Sequence, residues 1–228
     1  MKDLQHVAII LDGNGRWGLK KKKSRNYGHQ QGLKTVENIV KYSIKKKIKF
    51  LTLYIFSTDN WKRPKKEIFF LFLLLENFLK KNIKKLHNEN IKIRFIGSKK
   101  NLRKSIISQL NNAEKLTKFN KKIQINLAFN YGSKEEILNS VKIISKKKLV
   151  ISKKNIESNL YTKNIPDPEI LIRTGNTRRL SNFMLWQLSY TEIFFEKKCW
   201  PDFNSKDFDR IINKFISIKR NFGSIDEK

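Results

Sequence analysis

A carboxylate, two glycines, an amide and a guanidinium stand together in Asp12-Gly-Asn-Gly-Arg16, directly after the apolar run Val7-Ala-Ile-Ile-Leu11. A run without polar alternation fits a parallel strand covered on both faces. In open parallel sheets ligands sit just beyond the carboxyl ends of the strands, and Asp12 falls at that point. Gly13 and Gly15 let the backbone approach a ligand and turn its amides toward phosphate oxygens. Arg16 adds a planar fork of donors. A carboxylate beside phosphate makes sense with a divalent cation between them, and Mg2+ takes few carboxylates plus phosphate oxygens. The segment therefore points to a metal-diphosphate site. Gly13 to Gly18 also spells G-x-G-x-x-G, the dinucleotide fingerprint. That pattern wants a helix opening in the glycine loop, whereas Leu19-Lys-Lys-Lys-Lys-Ser-Arg25 reads as delaying the helix. It also wants an acidic residue ending the second strand, which here ends in Ser57. A purely structural turn is the other alternative.

Two further strand exits are polar and cationic. One is Ser57-Thr-Asp-Asn-Trp-Lys-Arg-Pro64, the other Arg173-Thr-Gly-Asn-Thr-Arg-Arg-Leu-Ser181. Three such exits in one sheet point together to a site for two phosphorylated groups.

The elements that must position these residues follow from periodicity. Leu33, Val36, Ile39, Val40 and Ile44 fit one helical face, and Phe50–Phe56 reads as the second strand. Helices are expected over 65–87, 101–116, 134–145, 154–161 and 206–222. Strands are expected over 91–96, 123–129, 169–172 and 192–195. This alternation predicts an α/β fold of one domain, 1–228, with a mainly parallel sheet of about six strands flanked by helices.

The chain has 228 residues, 39% hydrophobic, enough for a substantial core. Its formal charge of +30 comes mostly from lysines in short dispersed runs, which read as a solvated surface that attracts polyanions. Nucleic-acid or anionic-membrane binding is the alternative from charge alone. The lone Cys199 excludes an internal disulfide and a cysteine zinc cluster, and reads as a packed side chain. The apolar run Ile68–Leu75 is far short of the roughly 20 residues a spanning helix needs, and no targeting signal is visible at the N-terminus, so a cytoplasmic protein is expected.

Ordered motifs carry a resemblance. HVAIILDGNGRW (6–17), YGHQQG (27–32), LTLYIFSTDNWKRP (51–64), IRTG (172–175), RLSNFMLWQLSYTEIFF (179–195) and WPDF (200–203) are similar to those of the bacterial cis-prenyl diphosphate synthases over nearly the whole chain. The resemblance implies a Mg2+-dependent prenyltransferase that condenses isopentenyl diphosphate onto farnesyl diphosphate. Its product would be a long-chain, undecaprenyl-type diphosphate, the lipid carrier precursor for cell-wall synthesis. A shorter-chain synthase or a catalytically silent subunit is the alternative. By resemblance Asp12 binds Mg2+ against the allylic diphosphate, with Glu192 as a second acidic residue at the metal. Gly13, Asn14, Gly15 and Arg16 form the diphosphate cradle, closed by Arg25 and His29. Trp17 and Trp61 contact substrate near the tunnel mouth, and Ser57, Thr58 and Asp59 line the loop beside it. Asn60 matches the proposed proton acceptor; an amide is a poor base, so a positioning role is expected. Arg63 binds substrate, Glu67 belongs to a mobile loop, and Arg173, Arg179, Leu180 and Ser181 form the isopentenyl diphosphate site.

The family also implies a homodimer through apolar residues between Phe183 and Phe195, transient membrane contact for product release and no nucleic-acid partner. An apolar product tunnel is expected, lined partly by 68–75 and by strand two. The chain departs from the family in three places. RTGGE becomes Arg173-Thr-Gly-Asn176-Thr177, the usual Ala becomes Ile55, and the C-terminal Arg-x-Gly becomes Asn221-Phe-Gly223 with Arg220 one place early.

Overall fold

The computed structural model describes residues 4–22 and 24–220. Strand β1 (His6–Ile10) is wholly buried, which explains its unbroken apolar pattern. It lies in the middle of a six-stranded sheet with β2 (Phe50–Ser57), β3 (Ile91–Ile96), β4 (Ile123–Tyr131), β5 (Ile170–Arg173) and β6 (Glu192–Phe195). The order is β3-β4-β2-β1-β5-β6, and each neighbouring pair is parallel. The chain is thus a single α/β domain.

Helices α1 (Asn14–Lys22), α2 (Arg25–Lys45), α3 (Lys65–Asn88), α4 (Lys104–Leu116), α5 (Ser133–Lys146), α6 (Lys153–Asn159) and α7 (Ser205–Ser217) connect and cover the strands. Short 3-10 turns occupy 58–62 and 200–202. One face of the sheet buries Ile39, Leu75, Leu79, Leu110 and Phe208 from α2, α3, α4 and α7. The other packs Ile165, Phe183, Met184 and Leu188 against Ala8, Ile10, Tyr54 and Leu171.

The helix expected to be delayed begins at Asn14, inside the glycine loop. Lys20, Lys21 and Lys22 form its exposed last turn, where cations suit the carbonyl end of the helix dipole. This removes one of the two objections to the dinucleotide fingerprint; the exit of β2 in Ser57 remains. Helix α1 crosses α2 closely enough that a Cβ on Gly28 would meet the Asn14 carbonyl oxygen at 1.9 Å. The last helix is shorter than expected, since α7 ends at Ser217. Residues 221–223 lie outside the described residues.

A directional polar chain crosses the sheet interior. His6 Nδ1 is 2.6 Å from the Pro166 carbonyl oxygen, which assigns the ring proton there, so Nε2 accepts from the Thr52 hydroxyl at 2.7 Å. Asn126 donates to Thr52 at 2.9 Å, and Gln124 donates to Asn126 at 2.8 Å. Burial lowers the His6 pKa to about 4, so the ring is neutral at pH 7.

Candidate active site

The exits of β1, β2 and β5 meet at one end of the sheet and open on a cavity of about 580 Å³. Its polar end is lined by Asp12, Gly13, Asn14, Gly15, Arg16, Arg25, His29, Ser57, Asp59, Asn60, Arg63, Arg173, Arg179 and Ser181. Gly13 adopts φ +101°, and a Cβ there would strike Cys199, so the turn after Asp12 needs glycine. Cys199 therefore serves as packing, and burial raises its thiol pKa.

Asp12 is held by the end of β5, the 200–202 turn and the first turn of α1. Its amide is bonded to the Thr174 hydroxyl at 3.1 Å, and its carbonyl accepts from Trp200 N at 2.9 Å. Its carboxylate accepts from Arg173 Nη2 at 2.8 Å and from Arg16 Nη2 at 3.3 Å. Arg173 is only 4% exposed, whereas the Asp12 side chain keeps 28% of its surface open. Burial pushes the Asp12 carboxyl up, but the bond and charge of Arg173 and the charge of Arg16 outweigh it and hold the pKa below the ordinary value. Arg173 also donates to the Arg179 carbonyl and to Ser181 Oγ at 2.8 Å, which ties the loop after β5 to the Asp12 turn.

Glu67 forms a second hub. It is buried in the first turn of α3 and accepts from Arg25 Nε at 2.8 Å, Arg25 Nη2 at 3.1 Å, Arg63 at 3.3 Å and His29 Nε2 at 3.4 Å. Burial raises its pKa, but Arg25, Arg63 and His29 bring it below the ordinary carboxyl value. Burial also lowers His29 to about 4, against the opposing pull of Glu67, so the ring is neutral at pH 7. The resemblance assigns Glu67 to a mobile loop, whereas the periodicity expected a helix over 65–87, and the structure sets Glu67 in the first turn of α3, which follows the N-cap Pro64. Asn60 and Ser57 close a reciprocal cap, Asn60 Oδ1 accepting from Ser57 N at 3.0 Å while Ser57 Oγ accepts from Asp59 N at 3.0 Å.

The apolar end is lined by Leu33 and Val36 of α2, Leu53 and Ile55 of β2, Leu71, Leu74, Leu75 and Phe78 of α3, and Leu127 of β4. The excess apolar surface of α3 is thus divided. Leu71, Leu74 and Leu75 face the cavity, Ile68 and Phe72 face the core, and Phe69 and Leu73 are exposed, with Arg103 4.3 Å above the Phe69 ring.

Several expected residues are placed elsewhere. Trp17 stacks on Tyr27 and Trp61 donates to Asn130 at 2.7 Å while packing on Phe56 and Phe72; neither lines the cavity, nor do Thr58 and Leu180. Glu192 opens β6, level with Ile170 and Val7 at the amino-terminal end of the sheet. That is three residues, about 10 Å, along the strand from the level of Ile10, and two strand spacings across. Its carboxylate lies 3.7 Å from Arg220 Nε. Within one chain it is not brought to Asp12. Sequence reasoning missed Val36, Phe78, Leu127 and Trp200 as lining. Their apolar periodicity was legible, but a stripe facing a cavity looks like one facing a core.

Asn176 has φ +55°, the left-handed conformation that asparagine tolerates best after glycine. This accounts for Asn176 at a position where the related motif carries Gly.

Among the described residues no group of three or more His, Cys, Asp or Glu side chains could by itself hold a metal ion. One ionised, partly open carboxylate among cations suits Mg2+ shared with a bound diphosphate, which provides the remaining oxygens.

The family model described as "Putative undecaprenyl diphosphate synthase" matches residues 10–223. The chain belongs to this prenyltransferase family. It is 41% identical to an isoprenyl transferase of Thermotoga maritima over 99% of each chain. It is 42% identical to the ditrans,polycis-undecaprenyl-diphosphate synthase ((2E,6E)-farnesyl-diphosphate specific) of Pasteurella multocida, covering 98% of this chain and 96% of that one. Lavandulyl diphosphate synthase from Lavandula x intermedia, solved with dimethylallyl diphosphate, superposes with a TM-score of 0.92 at 32% identity, covering 96% and 98%. A probable undecaprenyl diphosphate synthase from Campylobacter jejuni superposes at 0.84 with 36% identity, covering 98% and 100%. As a member of the family the chain is a prenyltransferase. The two structural relatives carry different product names, so the shared fold does not name the product of this chain.

Proposed function

We propose that the chain adds isopentenyl diphosphate repeatedly to farnesyl diphosphate and releases a long-chain cis-polyprenyl diphosphate of the undecaprenyl type, the carrier lipid precursor of the cell wall. The carrying observation is one cavity with a cation-rich end at the strand exits and an apolar body of about 580 Å³ in total. The diphosphate of the allylic substrate would lie over Gly13–Arg16, with Arg25 and Arg63 oriented toward it by Glu67, whose carboxylate also accepts the Nε2 proton of neutral His29. Isopentenyl diphosphate would be held by Arg173, Arg179 and Ser181, in the bidentate manner that suits phosphate. Asp12, with the diphosphate oxygens, would hold Mg2+, which when bound neutralises charge developing on the leaving group.

Positioning of both substrates converts a bimolecular step into a local one, and the arginines stabilise the departing pyrophosphate. Asn60, its side-chain oxygen already engaged by Ser57 N, orients the reacting carbon and does not take the proton. The apolar walls exclude water from the carbocation-like carbon and receive the tail, at about 0.8 kcal/mol per buried methylene. A shorter product is the second reading, favoured by Ile55, which narrows the cavity where it lines β2.

Purified protein incubated with farnesyl diphosphate, radiolabelled isopentenyl diphosphate and Mg2+, with and without chelator, tests both. A chelator-sensitive long-chain product supports the first reading, a short one the second. No product from folded protein would leave a silent subunit.

A further inference from the structure

The 58–62 turn after β2 carries Asn60 and leads to Arg63, yet none of its residues is buried, so packing alone does not fix it. Two ties hold it. One is the reciprocal cap of Ser57 and Asn60. The other is Trp61, which stands edge-on against Phe56 and Phe72 with ring centres 5.6 and 5.4 Å away. Apolar contact is non-directional and leaves the indole free to turn in its place. One directed bond stops it, from Trp61 Nε1 to Asn130 Oδ1 at 2.7 Å.

Asn130 is 4% exposed and is shaped for this task. Strands β2 and β4 pair Tyr54 with Ala128, Phe56 with Phe129 and Ser57 with Tyr131, so Ile55 on one strand and Asn130 on the other are each left over. Such bulges re-aim a side chain beside a site. Here Ile55 lines the cavity, and Asn130, at φ +52°, is turned toward the loop between β3 and α4. Its amide nitrogen donates to the carbonyl oxygens of Ser98 at 2.8 Å and Lys100 at 2.9 Å. Carbonyls only accept, so they fix the nitrogen on that side and leave the oxygen for the indole. A left-handed backbone, two donors and one acceptor on so short a side chain suit asparagine. The two donors close the β3–α4 loop, and the bond to Trp61 adds nothing to that closure. It reaches instead to the turn that brings Asp59 and Asn60 to the cavity.

We infer that Asn130 is a positioning residue for prenyl transfer: through Trp61 it fixes the 58–62 turn, and with it Asn60 and Arg63, at the cavity. It is absent from the cavity wall and acts only through the indole. The identity of the substrates so placed rests on the proposed function; the bond and the turn do not.

The test is steady-state kinetics beside thermal melting for the wild type, Asn130→Ala, Asn130→Asp, Trp61→Phe and the double variant Asn130→Ala with Trp61→Phe. Asn130→Ala should lower kcat/KM for farnesyl diphosphate about tenfold, the worth of one directed bond. Asn130→Asp keeps an oxygen for the indole and gives up donors to the loop, so it should melt at lower temperature while recovering most of that loss in kcat/KM. Trp61→Phe keeps a ring against Phe56 and Phe72 and deletes the donor; adding Asn130→Ala to it should lower kcat/KM no further, although the melting temperature falls again. A merely structural Asn130 would move melting and leave these ratios alone. Unchanged kcat/KM in folded Asn130→Ala, an equal loss in Asn130→Asp, or losses that multiply in the double variant overturns the inference. Should Asn130→Ala not fold, near-normal kcat/KM in Asn130→Asp with a loss of about tenfold in Trp61→Phe is the expected pair, and any other order overturns it. A wild type that binds farnesyl diphosphate in calorimetry but transfers nothing would sink the proposed function alone. The role of Asn130 is then read from that binding, about tenfold weaker in Asn130→Ala, or in Trp61→Phe where the former does not fold, and equal affinity overturns it. A wild type that binds none overturns both.

Discussion

Asp12 serves two tasks through one carboxylate: it neutralises the buried Arg173 and keeps open surface toward the cavity. Asp12→Ala should therefore cut turnover by a hundredfold or more, on the order of 3–4 kcal/mol in the transition state. It should also lower the melting temperature, because Arg173 is left buried without its counter-charge. Melting and turnover measured side by side separate the two effects, and a variant with near-normal turnover would remove Asp12 from the chemistry. Glu67→Gln should raise KM for the allylic substrate more than it lowers kcat, since Glu67 orients Arg25, Arg63 and His29 without lining the cavity itself.

The pH dependence follows from the same residues. His6 and His29 have folded pKa values of about 4, below the ordinary 6.5, so between those values the unfolded chain binds more protons. Stability should be full above about pH 6.5 and fall as pH drops toward 4. Asp12 and Glu67, with depressed values, add stability that is lost only at still lower pH, below their ordinary 3.8 and 4.5. Melting temperatures across this range, with His6→Gln flattening the upper part, would check the assignment.

At the scale of elements, α3 does most to shape the site. Its first turn carries Glu67, its middle supplies Leu71, Leu74 and Leu75, and Phe78 lies where the cavity adjoins a second, smaller one of about 60 Å³. Phe78→Ala should join the two spaces and lengthen the product, and Ile55→Ala should widen the cavity beside β2 in the same direction. Chromatography of the product ladder reads both, and unchanged lengths in the two variants would place length control elsewhere. The apolar richness of α3 was plain in the sequence. Its division among cavity, core and solvent was not, because a helix pattern gives faces without saying what each face meets.

For the whole molecule, the edge strand β6 presents exposed Ile193 and Phe195, with Tyr190 exposed just before it, while Phe183, Met184 and Leu188 of the same stretch are buried in the monomer. The expected interface is thus narrowed to the edge itself, where unpaired backbone and apolar side chains favour a partner. The protein should sediment as a homodimer, and Phe195→Asp should shift it toward monomer; a monomeric wild type would refute the assignment. No helix among the described residues is long and apolar enough to cross a membrane.

The sequence by itself determined the alternation of strand and helix, the unbroken burial of β1 and the three polar strand exits, because these depend on local pattern and on where a parallel strand must end. It misjudged the start of α1, since glycines and a lysine run read as loop when Gly18 and Gly28 in fact allow two helices to cross tightly. Tertiary structure alone decided that Glu192 lies level with Val7 and away from Asp12, that Trp17 and Trp61 pack instead of lining the cavity, and that Glu67 gathers three cationic or polar partners. Those outcomes depend on strand register and helix rotation, which are fixed by contacts between residues far apart in the chain.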